Sequence, residues 1–224
     1  MHDEPAAATF RELTIDRFVE RLASSDPVPG GGSASAVVGA IAASLVAMVS
    51  ALSVDRPKYA AHTALLSAVD ARSRALADTL LTLADEDADA YAAFGRAARL
   101  PRSTDAEIRD RSVAMADAAR EASEVPLGCL EACREVASLA ESLAGRSNVN
   151  ASSDLGVAAL LADAAARGAA ANVLVNLPSV GDEAWAEQTR ARVGELVEQT
   201  ARLATETRDA AASREPREPL ATVG

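Results

Sequence analysis

Apolar positions recur at helical spacing along most of the chain, and few turn signals interrupt them. A short amphipathic helix is predicted over residues 14–23, TIDRFVERLA, with Thr14 placed to cap it. Four longer helices are predicted over residues 58–100, 105–144, 154–176 and 182–212. Pro126 predicts a kink in the second of these, and the first is expected to be broken near its start.

A further helix is predicted over residues 34–53, which contain no charged side chain. About 20 apolar residues suffice to span a bilayer. More than half of this stretch is Ala, Ser and Gly, however, and these residues contribute little insertion energy. No aromatic belt or basic flank accompanies it. The stretch therefore predicts a helix buried all round at the centre of a bundle, and it argues against a membrane partner.

The composition supports helices and argues against a sheet protein. The chain of 224 residues has 54 alanines and six aromatic side chains, which favours close-packed helices over β-strands. We predict an all-α fold, a single-domain antiparallel bundle of long helices with a buried central Ala-rich helix, over residues 1–212. Residues 213–224 are expected to form a disordered tail.

The charge balance and the cysteines narrow the functional classes. Acidic residues outnumber basic ones by 33 to 22, and Lys58 is the single lysine, which argues against nucleic acid as the main partner. The N-terminus lacks the pattern of a secretory signal, so a cytoplasmic location is expected. Cys129 and Cys133 lie four residues apart on a predicted helix and are expected to be two buried thiols. With two histidines and no ligand cluster, no metal site is expected.

Three successive glycines, Gly30, Gly31 and Gly32, precede Ser33 at the start of the apolar helix. Glycines in this position expose backbone N–H groups where the helix dipole favours an anion. The segment lacks the Gly-Lys-Ser/Thr ending of a phosphate-binding P-loop, and no strand precedes it. Two interpretations remain open: a sharp turn capped by Ser33, or a loop that binds a ligand.

Short polar side chains are also concentrated in residues 148–154, before the next helix. This loop has more of them than one helix cap requires. Downstream, Asn172 and Asn176 lie four apart in an apolar run and share one helical face. A buried amide left without a partner costs about 1–3 kcal/mol. The partners of these two amides are expected to be backbone groups or a ligand rich in amides.

Asp87 lies on the apolar face of the long helix predicted over residues 58–100. That face is formed by residues 80, 83, 84, 87, 91 and 94, of which Asp87 alone is charged. A carboxyl group in such surroundings is expected to have a raised pKa, which suits proton transfer. Lys58 and Tyr59 follow Pro57 at the start of the same helix.

Six segments occur together in a recognisable order and spacing: PVPGGGSASAVVGAIAASLVAMVSALS, DRPKY, DEDADAYAAF, VPL, NVNASSDLGVAAL and AAANVLVNLPSV. With these segments the chain resembles the cyclodeaminase/cyclohydrolase family over about residues 13–205. That family forms the C-terminal part of formiminotransferase-cyclodeaminase and also occurs as free-standing proteins, and the sequence resembles the free-standing form. The resemblance implies an all-helical enzyme, usually a homodimer, that takes a tetrahydrofolate derivative as substrate and needs no metal or redox cofactor.

The resemblance also implies roles for individual residues. We expect Asp87 or Asp154 to act as the acid/base, and Lys58 to pair with a folate carboxylate or a developing charge. The positions that match the family's substrate-binding motifs are Gly30, Gly31, Gly32, Ser33, Tyr59, Asn148, Asn150, Ser153, Asn172 and Asn176. All of these residues are expected to line a single cleft between helices.

Three functions remain open from the sequence. A cyclodeaminase closes 5-formiminotetrahydrofolate to 5,10-methenyltetrahydrofolate and releases ammonia. A cyclohydrolase interconverts 5,10-methenyl- and 10-formyltetrahydrofolate with water. Both reactions pass through a tetrahedral carbon that bridges N5 and N10, so the same scaffold suits either. The third possibility is a non-enzymatic helical scaffold or assembly subunit that retains the fold.

Overall fold

The computed structural model describes residues 9–220, and the regular elements in this range are all helical. Six α-helices follow one another along the chain: α1 (Ile15–Leu22), α2 (Gly31–Ala51), α3 (Thr63–Ala98), α4 (Asp105–Leu143), α5 (Ser152–Asn176) and α6 (Glu183–Ser213). Short 3-10 helices lie at Phe10–Glu12, Pro57–His62, Val149–Ala151 and Leu177–Ser179. The predicted all-α fold is confirmed. A 3-10 turn replaces the start of the helix predicted from residue 58, where a break was expected. Residues 1–8 of the predicted domain and residues 221–224 of the predicted tail lie outside the described residues.

Polar caps fix where two of the long helices begin. Thr104 Oγ1 accepts a hydrogen bond from the Glu107 N–H at 3.2 Å, and the Glu107 carboxylate accepts one from the Thr104 N–H at 3.0 Å. This reciprocal pair is a capping box at the start of α4. Asp182 caps α6 by accepting from the Trp185 N–H at 3.0 Å. Pro126 lies inside α4, which continues through it as one helix.

The Ala-rich helix α2 is the centre of the bundle, and more than half of its 21 residues are buried. It runs antiparallel to α3. Gly32 near the start of α2 lies beside Asp87 in the second half of α3, whereas the Ser50 hydroxyl donates to the Leu66 carbonyl near the start of α3 at 2.5 Å. The prediction that the Ala-rich helix lies at the centre of the bundle is confirmed.

Small side chains allow the neighbours of α2 to approach closely. A Cβ atom added to Gly168 on α5 would lie 2.2 Å from Ser35 Oγ, and one added to Gly39 would lie 2.8 Å from Cys133 Sγ on α4. Both distances are shorter than real Cβ contacts, so the two crossings depend on glycine. Cys129 and Cys133 are buried and carry free thiols.

One face of α2 is nevertheless exposed, which differs from the prediction of a helix buried all round. Ile41, Met48 and Leu52 on this face are 50%, 37% and 43% exposed. We call the face the α2 stripe; it consists of Ala34, Val37, Val38, Ile41, Ser44, Leu45, Met48, Ala51 and Leu52. By length and composition, α2 and the segment Val149–Ser179 are apolar enough to cross a membrane, although each packs in part inside the bundle.

The apolar face predicted for α1 is not packed inward. Ile15, Val19 and Leu22 are exposed, whereas Phe18 packs edge-on against Phe10 with ring centres 5.7 Å apart. The short helix therefore contacts the bundle through its aromatic residue and leaves its aliphatic side chains at the surface.

The segment after α6 folds back onto the connection between α4 and α5, where a disordered tail was predicted for residues 213–224. The Arg217 N–H donates to the Gly145 carbonyl at 2.9 Å. Arg146 Nε donates to the Glu218 carbonyl at 2.6 Å. Gly145 has a φ of +73°, and an added Cβ would lie 2.6 Å from a backbone oxygen of this segment. The contact thus depends on glycine for both backbone conformation and space.

Candidate active-site cleft

A cleft of about 350 Å³ opens at the end of the bundle where α2 begins and α5 ends. Both α3 and α5 run on past the start of α2, so the cleft lies in the space into which a longer α2 would continue. Six of the predicted site residues line it: Gly30, Gly31, Gly32, Asp87, Asn172 and Asn176.

The glycine turn brings the N-terminus of α2 against Asp87. A Cβ atom added to Gly32 would lie 2.1 Å from Asp87 Oδ1 and 2.5 Å from its Cγ, far inside ordinary contact distance. Only glycine permits this approach. Gly30 is the N-cap residue and α2 already begins at Gly31, so the predicted capping role of Ser33 is wrong. The glycines form both the turn and one wall of the cleft.

The Asp87 carboxylate accepts hydrogen bonds at the N-terminus of α2, as the side chain of an N-cap residue would. Ser33 Oγ donates to Asp87 Oδ2 at 2.9 Å, and the Ser33 N–H also donates to this carboxylate. Burial raises the pKa of Asp87, and the two hydrogen bonds from Ser33 offset only part of that rise. A carboxyl group with a raised pKa exchanges its proton closer to neutral pH, which suits general acid–base catalysis.

The two asparagines present oxygen atoms to the cleft. Asn172 Nδ2 donates to the Gly168 carbonyl at 2.8 Å, and Asn176 Nδ2 donates to the Ala122 carbonyl at 2.6 Å. Because the acceptors are carbonyl oxygens, these contacts fix which amide atom is the nitrogen. The predicted backbone partners of the amides are therefore present. Each side-chain oxygen is left to accept hydrogen bonds from a ligand.

Two aromatic residues of the cleft were not predicted as site residues. Tyr91, which is 54% exposed, and Phe94 follow Asp87 on the same face of α3 and line the cleft beside it. Their rings offer flat apolar surface for a planar ligand. Helical periodicity places both residues on the same face of α3 as Asp87. That pattern could have identified them as candidate site residues from the sequence.

Six further predicted site residues lie at the opposite end of the bundle. We call them the distal cluster; its members are Lys58, Tyr59, Asn148, Asn150, Ser153 and Asp154. Asp154 lies in the first turn of α5 and Asn176 is its last residue, so about 33 Å of helix separates them. Likewise, Gly31 is the first residue of α2, whereas Lys58 follows the end of that helix. The prediction of one cleft lined by all these residues is therefore wrong within a single chain.

Tyr59 and Asn148 of the distal cluster join the end of α2 to the start of α5. The buried Tyr59 accepts a hydrogen bond at its hydroxyl from the Val149 N–H at 3.0 Å. The Asn148 N–H donates to Ser53 Oγ at 2.8 Å, and Asn148 Oδ1 accepts from the Asn150 N–H at 3.1 Å. These contacts give both side chains a structural role, and their role toward a ligand stays a prediction.

Lys58 has an exposed side chain, with Nζ 5.6 Å from the centre of the Tyr59 ring. It lines a second cavity of about 90 Å³ together with His62 and Arg214. Burial lowers the pKa of His62, and the positive charge of Arg146 lowers it further. Within residues 9–220, no group of three His, Cys, Asp or Glu side chains is arranged to hold a metal ion.

Comparison with known proteins assigns the chain to a family. The family model described as Formiminotransferase-cyclodeaminase matches residues 14–195, which is most of the chain. The chain belongs to the formiminotransferase-cyclodeaminase family. The resemblance inferred from the sequence motifs is thereby confirmed, and both the cleft residues and the distal cluster lie within the matched region.

The relatives found in the formiminotransferase-cyclodeaminase family are named either as cyclohydrolases or as cyclodeaminases. The methenyltetrahydrofolate cyclohydrolase of Methylorubrum extorquens is 43% identical over 175 residues, covering 78% of this chain and 84% of that protein. The formimidoyltransferase-cyclodeaminase of Rattus norvegicus is 31% identical over 197 residues, covering 88% of this chain and 36% of that protein. A crystal structure of formiminotetrahydrofolate cyclodeaminase from Thermotoga maritima is similar with a TM-score of 0.76 at 25% identity, covering 91% of this chain and 96% of that one.

Proposed function

We propose that this protein is a folate-dependent one-carbon enzyme that hydrolyses 5,10-methenyltetrahydrofolate to 10-formyltetrahydrofolate in the cleft at Asp87. The observation that carries the proposal is the half-buried Asp87 carboxyl group. It lies where the glycine turn contacts α3, and burial raises its pKa. Similarity over 84% of the Methylorubrum extorquens cyclohydrolase supports this reaction, whereas the chain spans only 36% of the bifunctional rat protein.

Asp87 would move protons at both stages of the hydrolysis. As the water oxygen bonds to the carbon that bridges N5 and N10, the carboxylate accepts one water proton. It then delivers that proton to N5 while the bond between N5 and the bridging carbon breaks. The remaining hydroxyl proton leaves to solvent as the formyl group forms on N10. A single group with a raised pKa suits this cycle because it must act first as a base and then as an acid.

The cleft offers contacts that suit a pterin ring. The side-chain oxygens of Asn172 and Asn176 can accept from its ring N–H and amino groups, because both amide nitrogens already donate to the backbone. The backbone N–H groups at the start of α2 can donate to a ring oxygen. Tyr91 and Phe94 provide apolar surface for the flat ring.

Cyclodeaminase activity is the second candidate, and the similarity to the Thermotoga maritima cyclodeaminase over 96% of that chain supports it. In this reaction N10 attacks the formimino carbon and gives up its proton; the amino group on that carbon then accepts a proton, its C–N bond breaks, and ammonia leaves. The same carboxyl group would supply that proton. We further propose that the enzyme acts as a homodimer in the cytoplasm and needs no metal or redox cofactor; the exposed apolar α2 stripe supports the dimer.

The test is turnover by the purified chain. For the cyclohydrolase, the near-ultraviolet absorbance of 5,10-methenyltetrahydrofolate decays faster with protein than with buffer, and Asp87→Asn slows the decay by about 10²–10⁴-fold. For the cyclodeaminase, 5-formiminotetrahydrofolate releases ammonia as that absorbance rises. If neither substrate is turned over and no tetrahydrofolate derivative raises the melting temperature, the chain is a non-enzymatic scaffold and the proposal is wrong.

A further inference from the structure

The interior of α4 contains a proline, which lowers the stability of a helix. Pro126 is buried, and α4 continues through it from Asp105 to Leu143. Proline is the least favourable residue in a helix interior, because it has no N–H to donate to the carbonyl four residues earlier. The segment VPL at residues 125–127 therefore has a local cost that helix formation does not explain.

The carbonyl that Pro126 leaves without a helical donor is that of Ala122, which lines the cleft. This carbonyl accepts a hydrogen bond from Asn176 Nδ2 at 2.6 Å, which joins α4 to the last residue of α5. The side-chain amide thus takes the place of the missing backbone N–H. The proline converts a helix carbonyl at the edge of the cleft into an anchor for a cleft side chain.

Asn172 shows how the same kind of side chain is held where the helix is uninterrupted. Its Nδ2 donates to the Gly168 carbonyl, four residues earlier on α5, at 2.8 Å. In an α-helix that carbonyl also accepts the N–H of residue 172, so two donors share it. Asn176 instead donates across to α4, where Pro126 supplies no competing donor, and its hydrogen bond is the shorter of the two.

We infer that Pro126 is a positioning residue that frees the Ala122 carbonyl to hold the Asn176 amide with its oxygen toward the cleft. The inference rests on the proposed function for the nature of the ligand, a pterin whose ring N–H and amino groups this oxygen accepts. Pro126 acts on substrate binding through Asn176, because Asn176 lines the cleft and the proline lies behind it on α4.

The Ala122 carbonyl selects one orientation of the amide because it can only accept hydrogen bonds. If the Asn176 amide flipped, its oxygen would lie against the carbonyl oxygen, and two acceptors about 2.6 Å apart repel each other. The flipped amide would also present N–H groups to the donors of the pterin. An N–H at residue 126 would draw the carbonyl into the helical hydrogen bond and weaken its hold on Asn176.

The first experiment restores the missing donor. Pro126→Ala and Pro126→Val both supply an N–H at residue 126, but valine keeps the three side-chain carbons of proline and alanine does not. In both variants the KM for 5,10-methenyltetrahydrofolate should rise about 2–10-fold with kcat nearly unchanged, because the weakened contact is made equally in the ground and transition states. Circular dichroism shows which variants fold. An unchanged KM, or a rise in only one of two folded variants, would overturn the inference.

A double-variant cycle separates positioning of Asn176 from a general change in α4. The Asn176→Leu variant has no amide to orient. In that background, Pro126→Ala should therefore raise KM no further than Asn176→Leu does alone. An equal rise in KM in both backgrounds would show that the proline acts through the helix as a whole, and it would overturn the inference.

Gly128→Ala is the matched control on the same turn of α4. It raises helix propensity without adding a donor for the Ala122 carbonyl. The added Cβ would lie 3.6 Å from Leu83 Cδ2, which is an ordinary contact distance. This variant should keep the wild-type KM and kcat. A rise in KM equal to that of Pro126→Ala would show that a stiffer helix is the cause, and it would overturn the inference.

Nuclear magnetic resonance tests the hydrogen bond without any substrate. The side-chain N–H signals of Asn176 are identified by their absence in Asn176→Leu. In the wild type one of them should exchange slowly with solvent, and in Pro126→Ala it should exchange several-fold faster. Faster exchange in a chain that turns over no folate supports the positioning role and rejects the proposed function. Unchanged exchange in a chain that hydrolyses methenyltetrahydrofolate overturns this inference and leaves the proposed function intact.

Discussion

The Gly32→Ala substitution tests directly whether the position of the Asp87 carboxylate matters. The added Cβ would lie 2.1 Å from Asp87 Oδ1, 2.5 Å from Cγ and 2.6 Å from Oδ2. Ordinary contact begins at 3.4 Å, so the carboxylate must move by at least 1.3 Å. Rotation of the carboxyl group about its own axis does not relieve the overlap, because Cγ itself is too close. The whole side chain must swing away from residue 32, and its hydrogen bond from Ser33 is then lost.

The expected cost falls on catalysis more than on folding. A displacement of about 1 Å in a catalytic group can lower turnover about 10²-fold. The lost hydrogen bond between Ser33 and the carboxylate costs about 1.5–3 kcal/mol of stability. Replacing glycine by alanine in a helix returns about 0.5–1 kcal/mol. The variant should therefore fold, with a modestly lower melting temperature.

The assay compares kcat/KM for methenyltetrahydrofolate hydrolysis, the melting temperature and far-ultraviolet circular dichroism. The matched control is Gly194→Ala on α6, where an added Cβ meets nothing within 4 Å. That control should keep full turnover and an equal or higher melting temperature. Wild-type turnover in Gly32→Ala would refute the assignment of chemistry to this carboxylate, and loss of turnover in Gly194→Ala would show that the effect is not local.

Three further predictions follow from the cleft and its supports. The free energy of unfolding of the wild type should fall as pH rises above 3.8, because the native Asp87 carboxyl keeps its proton to higher pH than the unfolded one. Asp87→Asn should reduce this fall. Equal urea curves for variant and wild type across that range would contradict the prediction. Ser33→Ala removes a donor that lowers the pKa of Asp87, so the acidic limb of the pH–rate profile should move to higher pH, and an unmoved limb would reject Asp87 as the titrating group. Gly168→Ala should cost about 1–3 kcal/mol by overlap with Ser35 Oγ, and adding Ser35→Ala should recover part of it in urea unfolding; additive losses would show that this contact is not the cause.

The helical fold was predictable because composition and periodicity agree. Alanine richness favours helices, and the cap residues Thr104 and Asp182 mark where α4 and α6 begin. Asp87 was predictable as a cleft residue because a lone charge on an apolar helical face must lie near a cavity or a polar partner. Both inferences depend on local spacing, which the sequence contains directly.

The exposed face of α2 was not predictable by the same reasoning. The helix α2 consists of small and aliphatic residues with no charge on any side, so its pattern does not indicate which face meets solvent. The packing of α3, α4 and α5 decides this, and it leaves Ile41 and Met48 uncovered. The exposed aliphatic side chains of α1 were not predictable from its periodicity either, since that helix contacts Phe10 through Phe18 and Arg21.

The separation of the site residues was partly predictable. Gly31 precedes a helix of 21 residues and Lys58 follows it, and such a helix is about 30 Å long. Grouping them in one cleft from motif resemblance ignored this length.

The distance from Asp87 to the reacting carbon tests the central claim most directly. It can be measured in a crystal structure of the protein soaked with a stable analogue of 10-formyltetrahydrofolate. The account predicts that the carbon attached to N10 lies about 3–3.5 Å from an Asp87 oxygen, or one water molecule away from it, with the pterin against Asn172 and Asn176. An analogue bound instead in the cavity at Lys58 and His62 of its own chain, with the Asp87 cleft empty, would contradict it.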